Sequence, residues 1–150
     1  MTIRLSTGMV NKMLDGGTTG GIKGAFGGFM AIFAGSQPAD ADSGSGSATL
    51  LGTVTNNDDG VTAITFDAAV AGVSSKAASQ NWKFHGLATG VAGWFMIYQT
   101  GDTYTGASAT FARITGTIGT AGADANISNT NIVTSAVTSV DSLTIQLPKA

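Results

Sequence analysis

The chain of 150 residues contains no cysteine and no glutamate, and only 11% of its residues are charged. Without cysteine, neither disulfide bonds nor thiolate-bound zinc can stabilise the fold. Soluble domains usually have about 25% charged residues, so this surface must consist largely of Ser, Thr, Asn and Gly. We expect the stability to come from one hydrophobic core or from self-association, which a weakly charged surface opposes little.

Basic residues are few and scattered singly, and the net charge is −2. Because there is no basic stripe for a phosphate backbone, we expect no nucleic-acid binding. No run approaches the roughly 18 apolar residues of a membrane span. The opening MTIRLSTGMVNKML also lacks the apolar stretch of a signal peptide. We therefore expect a protein that has no membrane partner and is made and used without crossing a membrane by itself.

The rest of the composition favours strands, because the chain has 22 glycines and abundant threonine in place of the residues that build exposed helices. Alternating apolar residues and turn signals predict an all-β, antiparallel β-sandwich of jelly-roll type over residues 26–150. The segments 56–60 and 119–124 are predicted to be hairpin turns. About eight strands are expected, at 28–34, 48–56, 61–67, 82–88, 93–100, 110–118, 125–133 and 139–148.

Residues 1–25 differ from the rest and predict an N-terminal arm. Ser6 or Thr7 is suited to cap a short helix with four apolar residues on one side. Glycines between 16 and 28 then make the chain conformationally permissive. A phosphate-binding loop is not expected, because Lys23 lies between Ile22 and Gly24 and a strand follows where that motif needs a helix.

His85 is the only histidine, so any Ser-His-Asp mechanism would have to use it. Strand periodicity places it on one face with Lys83 and Leu87, opposite Trp82 and Phe84. Because no nucleophile motif accompanies it, we expect a solvated or locally hydrogen-bonded histidine. The chain is therefore expected to be no enzyme and to use no cofactor or metal.

Two acidic stretches, 40–45 and 56–60, resemble calcium loops but lack the distal glutamate, so we interpret them as turns. The aromatic residues Trp82, Trp94 and Tyr98 are candidates for a sugar platform, although aromatics in strands usually belong to the core. The run 94–98 is apolar on both faces. It predicts either a central strand or a subunit interface.

Three stretches of the sequence together resemble a group of small virion-associated proteins of tailed bacteriophages. They are TIRLSTGMVNKML, FMAIFAGSQPADAD and RITGTIGTAGADANISNTNIV followed by SLTIQLP. Proteins of similar size and strand content in that group include capsid decoration, or cement, proteins with jelly-roll or related cores. The resemblance implies a virion structural protein on the capsid surface, with the major capsid protein and further copies of itself, as a homotrimer, for partners. It also implies synthesis in the cytoplasm of the bacterial host.

Apolar residues of the N-terminal segment are the predicted interface, because a lone monomer has little reason to expose them. Packing on the protein's own β domain is the alternative for the same residues. Two other functions stay open: a neck, tail or head-fibre component, and a carbohydrate-binding module exposing Trp94, Tyr98 and Tyr104. The candidate interface residues are Ile3, Leu5, Met9, Val10, Met13, Leu14, Phe26 and Phe29.

Overall fold

The computed structural model of the chain describes residues 3–15, 21–22 and 28–147. Its helix is α1 (Thr7–Asp15). Its strands are β1 (Arg4–Leu5), β2 (Met30–Ala34), β3 (Leu50–Asn56), β4 (Val73–Ser75), β5 (Trp82–His85), β6 (Gly90–Tyr98), β7 (Arg113–Gly119), β8 (Ala125–Ile127), β9 (Asn131–Ile132) and β10 (Val137–Gln146).

Seven strands hydrogen-bond into one closed ring, in the order β7, β8, β10, β5, β3, β2, β6 and back to β7. The neighbours in this ring are antiparallel except β7 and β8, which run parallel. Outside the ring, β1 pairs with β7, β9 with β6 and β4 with β10. The protein is therefore mostly β, with a closed, mixed seven-stranded barrel and extra strands.

The expected mostly β class is confirmed, but the finer expectation of a sandwich or jelly roll is not. A sandwich has two separate sheets facing each other, whereas here the hydrogen bonds run continuously around one ring. Of the eight predicted strand regions, seven contain strands. The short β1 and β4 were not predicted.

The predicted strand at 61–67 is wrong, because this segment forms no ladder of backbone hydrogen bonds with another strand. Side-chain hydrogen bonds and an isolated bridge hold it instead. Thr65 N donates to the side chain of Gln80, and Phe66 forms one isolated bridge with Lys76. Both hairpin predictions are also wrong. The segment 56–60 is a turn with no strand after it, and 119–124 joins the parallel strands β7 and β8.

Strand β6 lies in the middle of the sheet, between β2 and β7, and both of its faces are buried over residues 94–98. Phe95 and Ile97 point into the barrel core, while the alternate residues join a second cluster outside the barrel. The loops that follow β2 and β6 lie over this outer cluster. They are also bonded to each other, since Ser45 N donates to Tyr104 O at 2.9 Å. The central-strand interpretation of 94–98 is thus confirmed.

Ser6 joins the N-terminal segment to the barrel and is fully buried. Its Oγ accepts from Met9 N at 3.0 Å, which confirms an N-cap at the start of α1. The same Oγ accepts from Arg113 N at 2.8 Å and donates to Phe111 O at 2.9 Å. Residues 3–15 are therefore attached to β7, and the glycine-rich residues 16–20 and 23–27 lie outside the described part of the chain.

Candidate functional site

The predicted interface residues of the N-terminal segment separate into a buried and an exposed group. Met9 is fully buried in the barrel core, and three others are half-buried against that core. Val10 is 41% exposed and Leu14 is 80% exposed. Packing on the protein's own barrel thus accounts for one group, and Val10 and Leu14 supply an accessible apolar surface. The half-buried residues are Ile3, Leu5 and Met13.

Two further candidate interface residues precede β2. Phe29 is half-buried, and its ring lies 6.4 Å from that of Tyr98, measured between centroids. Phe26 lies outside the described residues. Phe29 therefore lies against the outer wall of the barrel beside Tyr98, whereas Val10 and Leu14 lie on α1.

Four exposed aliphatic side chains lie on two segments at one end of the barrel, which we call the apolar end. The segments 85–91 and 131–137 are bonded to each other, since Gly86 N donates to Ala136 O at 2.9 Å and Val91 pairs with Asn131. No charged residue occurs from 86 to 101 or from 125 to 140. The four side chains, between 50% and 62% exposed, are Leu87, Val91, Val133 and Val137.

The apolar end and α1 lie at opposite ends of the barrel. Strand β6 begins at the apolar end and runs antiparallel to β7, so its last residue, Tyr98, pairs with Arg113 at the start of β7. The backbone beside Arg113 is where Ser6 attaches α1. Accessible apolar residues are consequently present at both ends of the molecule.

His85 and Asp58 form a pair on the outer wall of the barrel. The Nδ1 atom of His85 lies 2.9 Å from Asp58 Oδ1 and 3.1 Å from Oδ2, and His85 N donates to the same Oδ1. The His85 side chain is 53% exposed and that of Asp58 is 17% exposed. The prediction of a locally hydrogen-bonded histidine is confirmed. Sequence reasoning missed its partner, which is 27 residues away along the chain.

A cavity of about 310 Å³ opens beside this pair. Thr53 and Thr55 come from β3, Phe29 precedes β2, and the turn at 57–60 forms one wall. Asn57 and Asp58 have positive φ angles of 56° and 59°, a conformation that Asn and Asp tolerate better than other side chains. Within the described part of the chain, the lining residues are Phe29, Thr53, Thr55, Asp58, Gly60, His85, Leu87 and Tyr98.

One carboxylate in each calcium-like stretch serves the turn that contains it. Asp40 accepts from the hydroxyl and the amide of Ser43, and these bonds lower the pKa of its carboxyl. Hydrogen bonds from Thr62 and Val61 likewise lower the pKa of Asp59. Asp42 accepts from Thr7 at the start of α1. Among the described residues, no three His, Asp, Glu or Cys side chains come close enough to hold a metal ion together.

The aromatic residues proposed as an exposed sugar platform are mostly buried. Trp94 is 1% exposed and stacks on Phe33, with ring centroids 4.4 Å apart. Tyr98 is 8% exposed, and Tyr104 is half-buried against it. Burial raises the pKa of Tyr98 to about 12. Trp94 and Tyr98 therefore provide core packing, as expected for aromatics in strands, and the alternative of an exposed platform built on them is wrong.

Comparison with known proteins gives no match, whether by family model, by curated protein or by solved structure. Over the described ranges, no helix combines the length and the apolar character needed to cross a bilayer. The surfaces of the molecule that remain available for a function are the apolar end, the exposed face of α1 and the cavity beside His85.

Proposed function

We propose that this chain is a structural protein of a tailed-phage virion, namely a capsid decoration protein that binds the major capsid lattice as a homotrimer. The observation that carries the proposal is the apolar end, where four aliphatic side chains are exposed on segments without any charged residue. Several exposed aliphatic side chains on neighbouring segments are typical of protein interaction sites. The sequence resemblance described above supplies the class of partner.

Accessible apolar residues at both ends of the barrel suit a protein that holds neighbours together. The apolar end offers one contact surface, and Val10 with Leu14 offers a second at the opposite end. Burying one Val or Leu side chain contributes about 1.5–3 kcal/mol. Many modest contacts repeated over a lattice add up to strong attachment, because each bound copy holds its neighbours at a high local concentration.

The sparse surface charge supports the same function. Of the 7 basic and 9 acidic residues, Arg113 and Asp102 are buried against each other and contribute nothing to the surface. Close packing of identical copies costs little electrostatic repulsion on such a surface. A shell protein present in many copies benefits directly from this property.

The test is co-sedimentation of the purified chain with phage heads assembled without it, together with light scattering after size-exclusion chromatography. The informative variant is Val133→Asp at the apolar end, and the matched control is Val70→Asp, since Val70 is 74% exposed outside that surface. We expect the unmodified chain and the control to form an oligomer and to coat heads, and Val133→Asp to lose both properties.

Electron microscopy of the decorated particles decides between positions in the virion. Density over the whole shell supports a decoration protein, whereas a single ring at the neck or along the tail supports the alternative of a neck, tail or head-fibre component. A monomer that binds no virion part overturns the proposal.

A further inference from the structure

We propose that the cavity beside His85 and Asp58 is a binding site for a single pyranose ring, a neutral ligand with several hydroxyl groups and one apolar face. This site uses neither Trp94 nor the surface of α1. It also does not depend on the proposed position in a virion. The proposal follows from the balance of hydrogen-bonding groups in the lining, from the apolar residues beside them and from the size of the cavity.

The polar part of the lining combines the Asp58 carboxylate, which only accepts, with the His85 imidazole and with threonine and tyrosine hydroxyl groups. The contact between Asp58 and His85 Nδ1 places a proton on Nδ1, because a carboxylate can only accept. In the neutral imidazole, Nε2 is then an acceptor. Asp58 Oδ1 already accepts from two donors of His85, whereas Oδ2 keeps further capacity. The free capacity of Asp58 Oδ2 therefore favours a ligand that donates hydrogen bonds, as the hydroxyl groups of a sugar do.

The apolar part of the lining faces the same space. Phe29 contributes a half-buried ring and Leu87 a half-exposed side chain. The axial C–H groups of a pyranose form an apolar face that packs on such side chains. Thr53 supplies a half-buried hydroxyl, which both donates and accepts. This combination of apolar surface with a few convergent polar groups is typical of small-molecule sites.

Charge and size exclude other classes of ligand. The Asp58 carboxylate repels anions, and the cavity contains one carboxylate, too few for a metal ion among the residues described. A volume of about 310 Å³ is at the lower limit of ligand pockets and accommodates one ring rather than a long chain. A purely aromatic ligand would leave Asp58 and His85 Nε2 without donors, at a cost in binding free energy.

Because His85 is the only histidine, its imidazole signals in an NMR spectrum report on this site alone. The experiment titrates the full chain with glucose, galactose, mannose, rhamnose and N-acetylglucosamine separately. We expect a saturable shift of the His85 signals with at least one of them. No shift with any of the five, or an equal shift with phenol, overturns the proposal.

Three variants locate the site. Asp58→Asn keeps the positive φ angle acceptable and removes the charge, and we expect it to weaken binding about tenfold or more. Thr53→Val keeps almost the same side-chain shape but removes the hydroxyl group, so we expect it to weaken binding. This variant tests the site independently if Asp58→Asn is poorly folded. Asp141→Asn, on the exposed face of β10, is the matched control and should bind as the unmodified chain does. Equal affinity of all three variants overturns the proposal.

Discussion

Arg113 and Asp102 form a bidentate ion pair inside the protein, with Nε 2.6 Å from Oδ2 and Nη2 2.8 Å from Oδ1. Both side chains are 1% exposed. Arg113 Nη1 also donates to Gly106 O at 2.9 Å and to Asp42 O at 3.3 Å. One guanidinium group thus holds the start of β7, the loop before it and the loop that contacts α1.

Asp102→Asn is expected to lower the free energy of unfolding by about 3–5 kcal/mol, because it leaves the buried Arg113 without its counter-charge. Urea denaturation measures this loss. Asp141→Asn, at an exposed position of β10, should change stability by less than about 0.5 kcal/mol. Equal stability of the two variants would show that the buried pair is not needed for folding.

Ser6→Ala is expected to destabilise the protein by about 2–3 kcal/mol, since it removes the N-cap of α1 and leaves Arg113 N without its acceptor in a buried place. Hydrogen exchange of the amides in α1 should accelerate together with the loss in stability. Ser142→Ala, exposed on β10, is the control and should leave exchange in α1 unchanged. Slow exchange in α1 of the Ser6 variant would contradict the anchoring role.

Met9→Ala and Leu14→Ala test the two groups of N-terminal residues within one helix. Met9 is fully buried, so its truncation should cost about 2–5 kcal/mol of folding free energy. Leu14 is 80% exposed, and its truncation should cost less than about 0.5 kcal/mol. Thermal and urea unfolding of the isolated chain measure both values. A large loss for Leu14→Ala would mean that this side chain is not free for a partner.

Gly93→Ala is expected to destabilise the barrel by at least about 1–3 kcal/mol, because a Cβ there would overlap the carbonyl oxygen of Gly35. Backbone atoms cannot move aside as a flexible side chain can. Gly106→Ala is the matched control, since no atom lies within 4 Å of a Cβ built there. Unfolding experiments should separate the two variants clearly, and equal stabilities would contradict the close approach of β6 to the turn at Gly35.

The phenol of Tyr98 makes the free energy of unfolding depend on pH in the alkaline range. Its pKa is raised to about 12 from the ordinary value of 10.0 because burial disfavours the phenolate. The group therefore stabilises the folded state fully below pH 10, and this contribution is lost as the pH rises from 10 towards 12. Absorbance titration of the phenols and unfolding experiments over this range should show the effect. Tyr98→Phe should remove it, and an unchanged pH dependence in that variant would assign the effect elsewhere.

The elements that sequence reasoning predicted well are those whose signal is local. Ser6 caps α1 as its position before Met9 suggests, and β6 is central because both of its faces are apolar. Closure into a barrel was not predictable in the same way. It depends on pairing between strands far apart along the chain, such as β10 with β5 and β6 with β2.

The two polar pairs show why the site was harder to predict than the fold. Arg113 and Asp102 are an isolated arginine and an isolated aspartate in the sequence, and nothing near either residue indicates burial. His85 was correctly placed on the outer face of its strand, opposite Phe84. Its partner Asp58 lies in the segment 56–60, which the sequence indicated only as a turn. Nothing in the sequence linked this turn to His85, so the cavity beside the pair was not predicted.

The odd number of strands in the barrel has a consequence for how the ring closes. Strands that alternate in direction can close only in even numbers, so a ring of seven must contain a pair running the same way. That pair is β7 and β8, joined through just two residue pairs, Ile118 with Ala125 and Gly119 with Asn126. Asp124 reinforces this seam by accepting from the amide and the hydroxyl of Thr117. Parity thus requires one parallel pair in the closed ring, and Asp124 holds that pair together from the short connection between its two strands.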